Sequence, residues 1–305
     1  MSTPTPSDDI LTTFSDGLAD AVAHTAAGVV TVHGRRRLAA SGIVWDAQTV
    51  VTASHVVERD DNLTIDLPDG TNVPATLVGR DHGSDLVVLS AELGGVTPLA
   101  RAANPARVGQ LALAVGRSGS DGVRATLGAS STVGGAWRTI NGSKVSGYVR
   151  AELTMLPGFS GGPLVSTAGE LIGLNTSALG RDGGITLPVS AIEPIVDDLR
   201  EHGRLRRGYL GIASQSVDIP ANLVETVATG QGRGLLVVHV EPDGPASTAG
   251  LLLGDVLLAV SGQPVTDTGT LQEQLGPETV GTALAARVLR GGAIMDVSIT
   301  VGTRQ

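Results

Sequence analysis

The chain of 305 residues is long enough for two folded domains. Aromatic residues make up only 2% of it, so any core must be built from Val, Leu, Ile and Ala, while 42 glycines and 15 prolines predict tight turns and short strands. A net charge of −9 disfavours a nucleic-acid-binding protein, and the absence of cysteine excludes disulfides, thiolate metal sites and cysteine nucleophiles.

The first 23 residues are polar and acidic, and they lack the basic start and apolar stretch of a signal peptide. No stretch of the sequence reaches the roughly 18 consecutive apolar residues of a membrane span. We therefore expect no membrane span and a cytoplasmic location for the chain as given. An extracytoplasmic location would require that an N-terminal segment had been removed.

The first predicted element is a helix at residues 10–27, because Leu11, Phe14, Leu18 and Val22 recur on one helical face. Short runs of β-branched residues follow and predict about five strands before residue 105. These strands are 29–32, 42–45, 49–52, 63–67 and 86–89.

A second set of short, glycine-punctuated strands lies between residues 108 and 189. These strands are 111–115, 123–126, 147–149, 164–165, 171–173 and 185–189. Two β-rich halves of similar size predict two barrels or sandwiches with a cleft between them. A helix at 191–202 and a polar linker at 204–208 end this region.

A third unit begins at residue 209 and has the pattern of a small α+β domain. Its predicted strands are 210–212, 235–240, 256–260, 283–288 and 295–301, and its predicted helices are 246–249 and 270–275. The whole chain is therefore predicted to be mainly β.

Ser160 is the candidate nucleophile, in the run Pro-Gly-Phe-Ser-Gly-Gly-Pro-Leu at 157–164. A serine hydroxyl needs a neighbouring base to take its proton, and it needs backbone amides aimed at the developing oxyanion. Glycines on either side allow the backbone to turn and a substrate to approach. Taken alone, however, the same run also fits a plain turn.

His55 and Asp85 are the candidate partners of Ser160. His55 follows a predicted strand and Asp85 precedes one, and each residue in isolation also fits a structural role. Their order along the chain, His then Asp then Ser, is the order of a chymotrypsin-like triad. The first two lie in the first β half and Ser160 in the second, so the cleft would bring them together.

These motifs resemble those of the HtrA (DegP-like) serine proteases. The histidine motif matches at 52–57, the aspartate motif at 83–89, the serine motif at 157–164 and the following strand at 173–176. The resemblance implies a chymotrypsin/trypsin-like double β-barrel followed by a PDZ domain. It divides the chain into an N-terminal segment (1–20), a protease domain (21–203) and a PDZ domain (208–305).

The resemblance also assigns roles at the active site. Ser160 would attack the scissile carbonyl, His55 would shuttle the proton, and Asp85 would fix the imidazole tautomer. The amides of Gly158 and Ser160 would form the oxyanion hole. Phe159 departs from the pattern, because the family normally has Asn there. A bulky side chain at that position raises the question of whether the oxyanion loop is formed or collapsed at rest.

By resemblance, the primary specificity pocket is expected near Thr154. No carboxylate lies at that position, so cleavage after Lys or Arg is not expected. The resemblance predicts a small, mostly apolar pocket for aliphatic residues, although its residues are equally compatible with barrel core. The expected lining residues are Thr154, Met155, Ile185, Thr186 and Leu187.

Residues 209–212, Tyr209, Leu210, Gly211 and Ile212, resemble the carboxylate-binding loop of a PDZ domain. Such a loop captures a peptide C-terminus with backbone amides, while the next strand accepts the peptide by β-augmentation. Leu271 and Leu275, four residues apart on a predicted helix, fit either the groove or the core.

The remaining histidines show no metal-ligand spacing, so we expect neither a metal nor a cofactor. The function expected from these features is that of an ATP-independent serine endopeptidase for unfolded or damaged proteins, with C-terminal peptides bound at the PDZ groove. The family implies a homotrimer formed through N-terminal aromatic residues, of which Phe14 is the candidate here. The alternative is a proteolytically silent chaperone or peptide-binding protein with a collapsed oxyanion hole.

Overall fold

The computed structural model describes residues 9–119, 122–140, 143–180, 184–206, 208–220 and 231–303. The chain divides into two units between Leu205 and Arg206. Strands account for most of the regular structure in both units, so the prediction of a mainly β protein is confirmed.

Helix α1 (Ile10–Ala26) opens the first unit and confirms the predicted helix. The second half of its apolar face packs against the core through Leu18 and Val22. Leu11 and Phe14, on the first half, are exposed. The helical period was therefore correct, but only half of the predicted face is covered within this chain.

The first β half is a closed barrel of six strands in the order β1-β2-β3-β6-β5-β4. The strands are β1 (Val29–His33), β2 (Ala40–Val44), β3 (Thr49–Ala53), β4 (Leu63–Asp66), β5 (Asn72–Asp81) and β6 (Leu86–Ala91). The sequence predicted five of the six. It missed β5 because Pro74 and Gly79 interrupt a strand whose side chains are mostly exposed or half-buried.

The second half is another closed barrel, in the order β11-β14-β13-β12-β7-β8, with a separate β9–β10 hairpin. The strands are β7 (Leu111–Arg117), β8 (Val123–Gly134), β9 (Trp137–Arg138), β10 (Lys144–Val145), β11 (Tyr148–Glu152), β12 (Pro163–Ser166), β13 (Leu171–Thr176) and β14 (Ile185–Pro188). All six predicted strands are present, and the predicted pair of barrels is confirmed. Val149, Phe159 and Leu164 belong to one buried apolar cluster of this half.

Helix α2 (Val189–His202) follows β14 and ends at Gly203, whose φ of 73° suits glycine. Its buried face joins a core cluster shared by both barrels, which includes Val88 of the first barrel and Leu113 of the second. The two barrels and α2 therefore form one hydrophobic body, and residues at the junction are held by both barrels.

The second unit contains a sheet in the order β16-β17-β18-β20-β21, with β19 paired to β18 and a separate β15–β22 pair. Its elements are β15 (Gly208–Tyr209), β16 (Ile212–Asp218), β17 (Arg233–Val240), α3 (Pro245–Thr248), β18 (Val256–Val260), β19 (Gln263–Pro264), α4 (Thr268–Glu273), β20 (Ala283–Arg290), β21 (Ala293–Thr300) and β22 (Gly302–Thr303). The strand predicted at 210–212 was misplaced, because Gly211 has a φ of 75° and interrupts the extended backbone between β15 and β16.

Candidate active site

His55 lies on a short 3-10 helix (Ser54–Val56) that directly follows β3. Asp85 directly precedes β6, the neighbour of β3 in the barrel. The two side chains are joined by a 2.8 Å contact from His55 Nδ1 to Asp85 Oδ2, and the His55 amide donates to Asp85 Oδ1 at 2.8 Å. The carboxylate therefore fixes both the backbone and the ring of His55.

The backbone of Asp85 is in the left-handed region, with φ of 57°, and the residue is buried. Aspartate tolerates this region better than most residues, but the conformation still costs free energy and recurs at functional sites. Here it turns the carboxylate toward His55 while the Asp85 carbonyl accepts a hydrogen bond from the Ser54 amide at 2.9 Å.

Thr176, the last residue of β13, also donates its hydroxyl to Asp85 Oδ2, at 2.5 Å. The buried carboxylate thus has three donors, two of them from His55. This arrangement favours the tautomer in which Nδ1 carries the proton and Nε2 presents its lone pair. Thr176 lies in the motif at 173–176, but the sequence did not identify a part for it in the site.

Ser160 lies on the loop before β12, and its neighbour Gly158 has a φ of 89° that only glycine adopts readily. A Cβ on Gly158 would also lie 2.2 Å from Ser118 Oγ. The Gly158 carbonyl accepts hydrogen bonds from the Ser41 amide at 3.1 Å and the Ser41 hydroxyl at 2.7 Å. Ser41 belongs to β2, so the first barrel holds this loop of the second.

The amides of Gly158 and Ser160 have no hydrogen-bond acceptor within the described part of the chain. Two free amides, two residues apart beside a serine hydroxyl, are the donors that an oxyanion hole requires. The adjoining backbone is tightly held, since the Gly161 amide donates to the Asn175 carbonyl at 2.8 Å.

Phe159 is fully buried in the apolar cluster of the second barrel. Its ring occupies space left by Gly116, where an added Cβ would lie 2.5 Å from Phe159 Cδ1. The Arg124 guanidinium lies 5.8 Å from the ring centroid and donates to the Pro157 carbonyl at 2.6 Å. The bulky side chain thus packs beneath the loop and does not intrude into the site.

Ser177 is a second hydroxyl at the site that sequence reasoning missed. Its Oγ lies 3.1 Å from Ser160 Oγ and 3.4 Å from His55 Nε2. Among the described residues, no direct hydrogen bond joins Ser160 to His55. Thr176 and Ser177 belong to a polar run that begins two residues after the predicted strand at 171–173, which was the available signal for them, but their contacts depend on the tertiary fold.

The five predicted pocket residues lie in different surroundings. Thr154 and Met155 lie on the segment between β11 and the Ser160 loop, exposed and half-buried respectively. Ile185 and Leu187 are 3% and 0% exposed and belong to the core cluster shared by the barrels, so their assignment to the pocket is corrected to core. Side chains alternate along β14, and Thr186 instead donates to Asn175 Oδ1 at 2.7 Å.

In the second unit, the predicted carboxylate-binding loop lies between β15 and β16. The amides of Leu210 and Gly211 have no acceptor among the described residues, whereas the Gly211 carbonyl accepts the Glu241 amide at 2.8 Å. Tyr209 donates its hydroxyl to Glu241, and Ile212 begins the edge strand β16.

Leu271, on α4, is 6% exposed and packs in the core of the second unit. Leu275 is partly buried against the same core. Both residues therefore contribute to the core, one of the two roles that the sequence left open.

The described residues offer neither a metal-binding cluster nor a membrane-spanning helix. No cluster of three or more His, Asp or Glu side chains there could hold a metal ion. No helix there is both long and apolar enough to cross a bilayer.

Two family models match the chain, a trypsin-like peptidase domain over residues 40–174 and a PDZ domain over residues 208–301. A DegP-like probable periplasmic serine endoprotease of Halomonas elongata is 32% identical over 274 residues, and the periplasmic serine endoprotease DegP of Escherichia coli K12 is 31% identical over 268 residues. The aligned parts cover 88% and 85% of this chain but only 57% and 56% of those relatives, so the chain spans little more than half their length.

Solved structures match over almost their whole length. The HtrA-type protease AlgW with a tripeptide is 30% identical, with a TM-score of 0.71, covering 94% of this chain and 97% of that one. A serine endoprotease from Yersinia pestis is 27% identical, with a TM-score of 0.74 and full coverage of both chains.

The predicted cytoplasmic location was wrong, because the curated relatives are named periplasmic endoproteases and point to an extracytoplasmic location. The prediction relied on the lack of a leader pattern. A leader is removed on export, so its absence from a given chain does not identify the compartment.

Proposed function

The chain belongs to the HtrA-type serine proteases, with a trypsin-like peptidase domain and one PDZ domain, and from this premise we propose that it is an ATP-independent serine endopeptidase. The single observation that best supports the proposal is the His55–Asp85 pair, in which the carboxylate binds Nδ1 and leaves the lone pair of Nε2 facing the Ser177 hydroxyl, which also contacts Ser160. The proposed substrates are unfolded or damaged proteins, in keeping with protein quality control in the stress response outside the cytoplasm.

In the proposed mechanism, Ser160 Oγ attacks the scissile carbonyl carbon while its proton passes to His55 Nε2. Asp85 stabilises the imidazolium that forms, and Thr176 helps to hold the carboxylate in place. The carbonyl oxygen becomes an oxyanion that accepts hydrogen bonds from the free amides of Gly158 and Ser160, each donor being worth about 2.7–4 kcal/mol.

The tetrahedral intermediate then collapses. The C–N bond breaks, the leaving amine takes the proton from His55, and an acyl ester remains on Ser160. A water molecule attacks the ester with His55 again as the base, which releases the new C-terminus and restores the hydroxyl.

A digestion assay with unfolded casein tests the proposal, using the wild type and Ser160→Ala. We expect cleavage by the wild type and its loss in the variant, because the nucleophile alone has been removed. Equal, negligible cleavage by both proteins would contradict the enzyme and favour the alternative of a silent chaperone. The matches to serine endoproteases do not favour that alternative, and neither does the buried position of Phe159.

We divide the chain for this function into an N-terminal segment (1–20), a peptidase domain (21–203) and a PDZ domain (208–305). The free amides of Leu210 and Gly211 support capture of a peptide carboxylate, and the open edge of β16 supports β-augmentation. Binding of a C-terminal peptide, compared with the same peptide carrying a C-terminal amide, tests this. Equal affinity for the two peptides would contradict it.

A homotrimer is the proposed assembly, supported by the exposed apolar residues Ile10, Leu11 and Phe14 on the first turns of α1. Light scattering on the chain with and without its first 20 residues tests the proposal. A mass that stays the same after the truncation would contradict a role for this segment.

A further inference from the structure

The hydroxyl of Ser177 lies between the proposed nucleophile and its base. Ser177 Oγ is 3.1 Å from Ser160 Oγ and 3.4 Å from His55 Nε2. The Ser160 hydroxyl has no direct hydrogen bond to His55 among the described residues. General-base catalysis requires a donor within about 2.6–3.2 Å of the base, so the pair is not yet arranged for attack.

The available protons determine how these three groups interact. His55 Nδ1 faces the Asp85 carboxylate at 2.8 Å and carries the ring proton, so Nε2 is an acceptor. Ser177 has one proton to give. If it donates that proton to Nε2, its oxygen accepts the proton of Ser160, and the Ser160 hydroxyl points away from the base.

From this geometry, and resting on the function proposed above, we propose that Ser177 is a positioning residue that holds the Ser160 hydroxyl off His55 in the resting enzyme. Attack then requires Ser160 to exchange its hydrogen bond to Ser177 for one to Nε2. Ser177 acts through Ser160 and forms no bond to the substrate in this scheme.

A proton relay through Ser177 is the competing interpretation, and the distances disfavour it. The distance from Ser177 Oγ to His55 Nε2 is 3.4 Å, which is longer than the 3.1 Å between the two serine hydroxyls. Proton transfer needs the shorter contacts of a well-formed hydrogen bond. A direct transfer from Ser160 to His55 removes one proton-transfer step.

We expect the hydrogen bond between Ser160 and Ser177 to be weak because one of the two residues is exposed to solvent. Ser177 is exposed, whereas Ser160 is only 8% exposed. Water can therefore replace Ser160 as the partner of Ser177 when the nucleophile turns toward His55. One neutral hydrogen bond in such a setting corresponds to an effect of about two- to tenfold on the rate.

The test is the second-order rate constant for inactivation by a small fluorophosphonate. In this reaction the Ser160 Oγ–P bond forms, fluoride leaves and the proton passes to His55, so the rate reports the reactivity of the hydroxyl. The variants are Ser177→Ala, Ser177→Thr, which keeps a hydroxyl, and Ser131→Ala, an exposed serine of β8 that bonds to Arg150 and Glu152.

We expect Ser177→Ala to react about two- to tenfold faster than the wild type, with Ser177→Thr and Ser131→Ala close to the wild type. On a peptide substrate, Ser177→Ala should raise kcat and leave KM nearly unchanged, which a general structural effect would not do.

The other outcomes are distinguishable. An unchanged rate for Ser177→Ala, with a reactive wild type, would overturn the hold and leave the proposed function standing. A slower rate would overturn it in favour of the relay. No reaction in any variant, including the wild type, would contradict both the hold and the peptidase on which it rests.

Discussion

Replacing Phe159 by alanine should reduce both the stability of the first unit and its activity. Phe159 is the bulkiest fully buried side chain described, and its removal leaves a cavity in the apolar cluster of the second barrel. Phe→Ala changes in a core cost about 3–5 kcal/mol. For a unit of this size, each kcal/mol lowers Tm by about 2–4 °C, so we expect a decrease of about 6–20 °C.

The same change should reduce kcat because the ring supports the loop that carries the amides of Gly158 and Ser160. Loss of one oxyanion donor costs about 10²–10³-fold in kcat, which is the effect expected if the loop misplaces one of the two amides. A loop that keeps part of its alignment would lose less, and we expect a decrease of at least tenfold. Thermal unfolding by circular dichroism and turnover of a peptide substrate, both below the lowered Tm, measure the two effects.

The matched control is Ile172→Ala, a buried residue of the same cluster on β13. It should cost about 2–5 kcal/mol of stability, since it also creates a cavity, but should change kcat by less than about twofold. An equal loss of kcat in both variants would contradict a specific role of Phe159, because general loosening of the barrel would then account for the effect.

Three further predictions concern other contacts of the two units. Gly116→Ala should destabilise the first unit, because the new Cβ would lie 2.5 Å from Phe159 Cδ1. Combining it with Phe159→Leu should make the double variant about 0.5–3 kcal/mol more stable than the sum of the two single effects predicts. Single effects on the unfolding free energy that simply add would contradict this. Thr176→Val should lower kcat about tenfold without changing KM, because the Asp85 carboxylate loses a donor, and steady-state kinetics with unchanged kcat would contradict that role. In the second unit, desolvation raises the pKa of the buried Asp255. Hydrogen bonds from the Arg290 guanidinium and the Leu252 amide outweigh this effect and hold the pKa below the usual 3.8. The ionised carboxylate should therefore stabilise the second unit fully above about pH 4, and this stabilisation should be lost as the pH falls through the lowered pKa. Calorimetry should show the unfolding free energies of the wild type and Asp255→Asn converging in acid. A constant difference between them down to about pH 2 would contradict this.

The double barrel was predictable because strand patterns survive in short segments. The alternation in β4 and the apolar run of β6 identify strands without knowledge of their neighbours. Strand β5 was not predictable in this way. Its Gly79 is required by a tertiary contact, since an added Cβ would lie 2.6 Å from the Leu199 carbonyl oxygen of α2. A local pattern carries no information about such a partner.

The candidate triad was predictable as three residues in a fixed order, but its fine geometry was not. The sequence could not reveal whether Phe159 faces the site or the core, because this depends on the space beside Gly116. Nor could it reveal that Ser177 contacts His55, which is 122 residues away in the chain. The first feature arises from packing within the second barrel, and the second from the packing of one barrel against the other.

Activation of Ser160 by His55 can be measured by peptide mapping after treatment with a fluorophosphonate. We expect one adduct per chain, located on Ser160, absent from Ser160→Ala and formed about 10⁶-fold more slowly in His55→Ala. An adduct on another residue, or labelling of Ser160 at the same rate without His55, would contradict the claim.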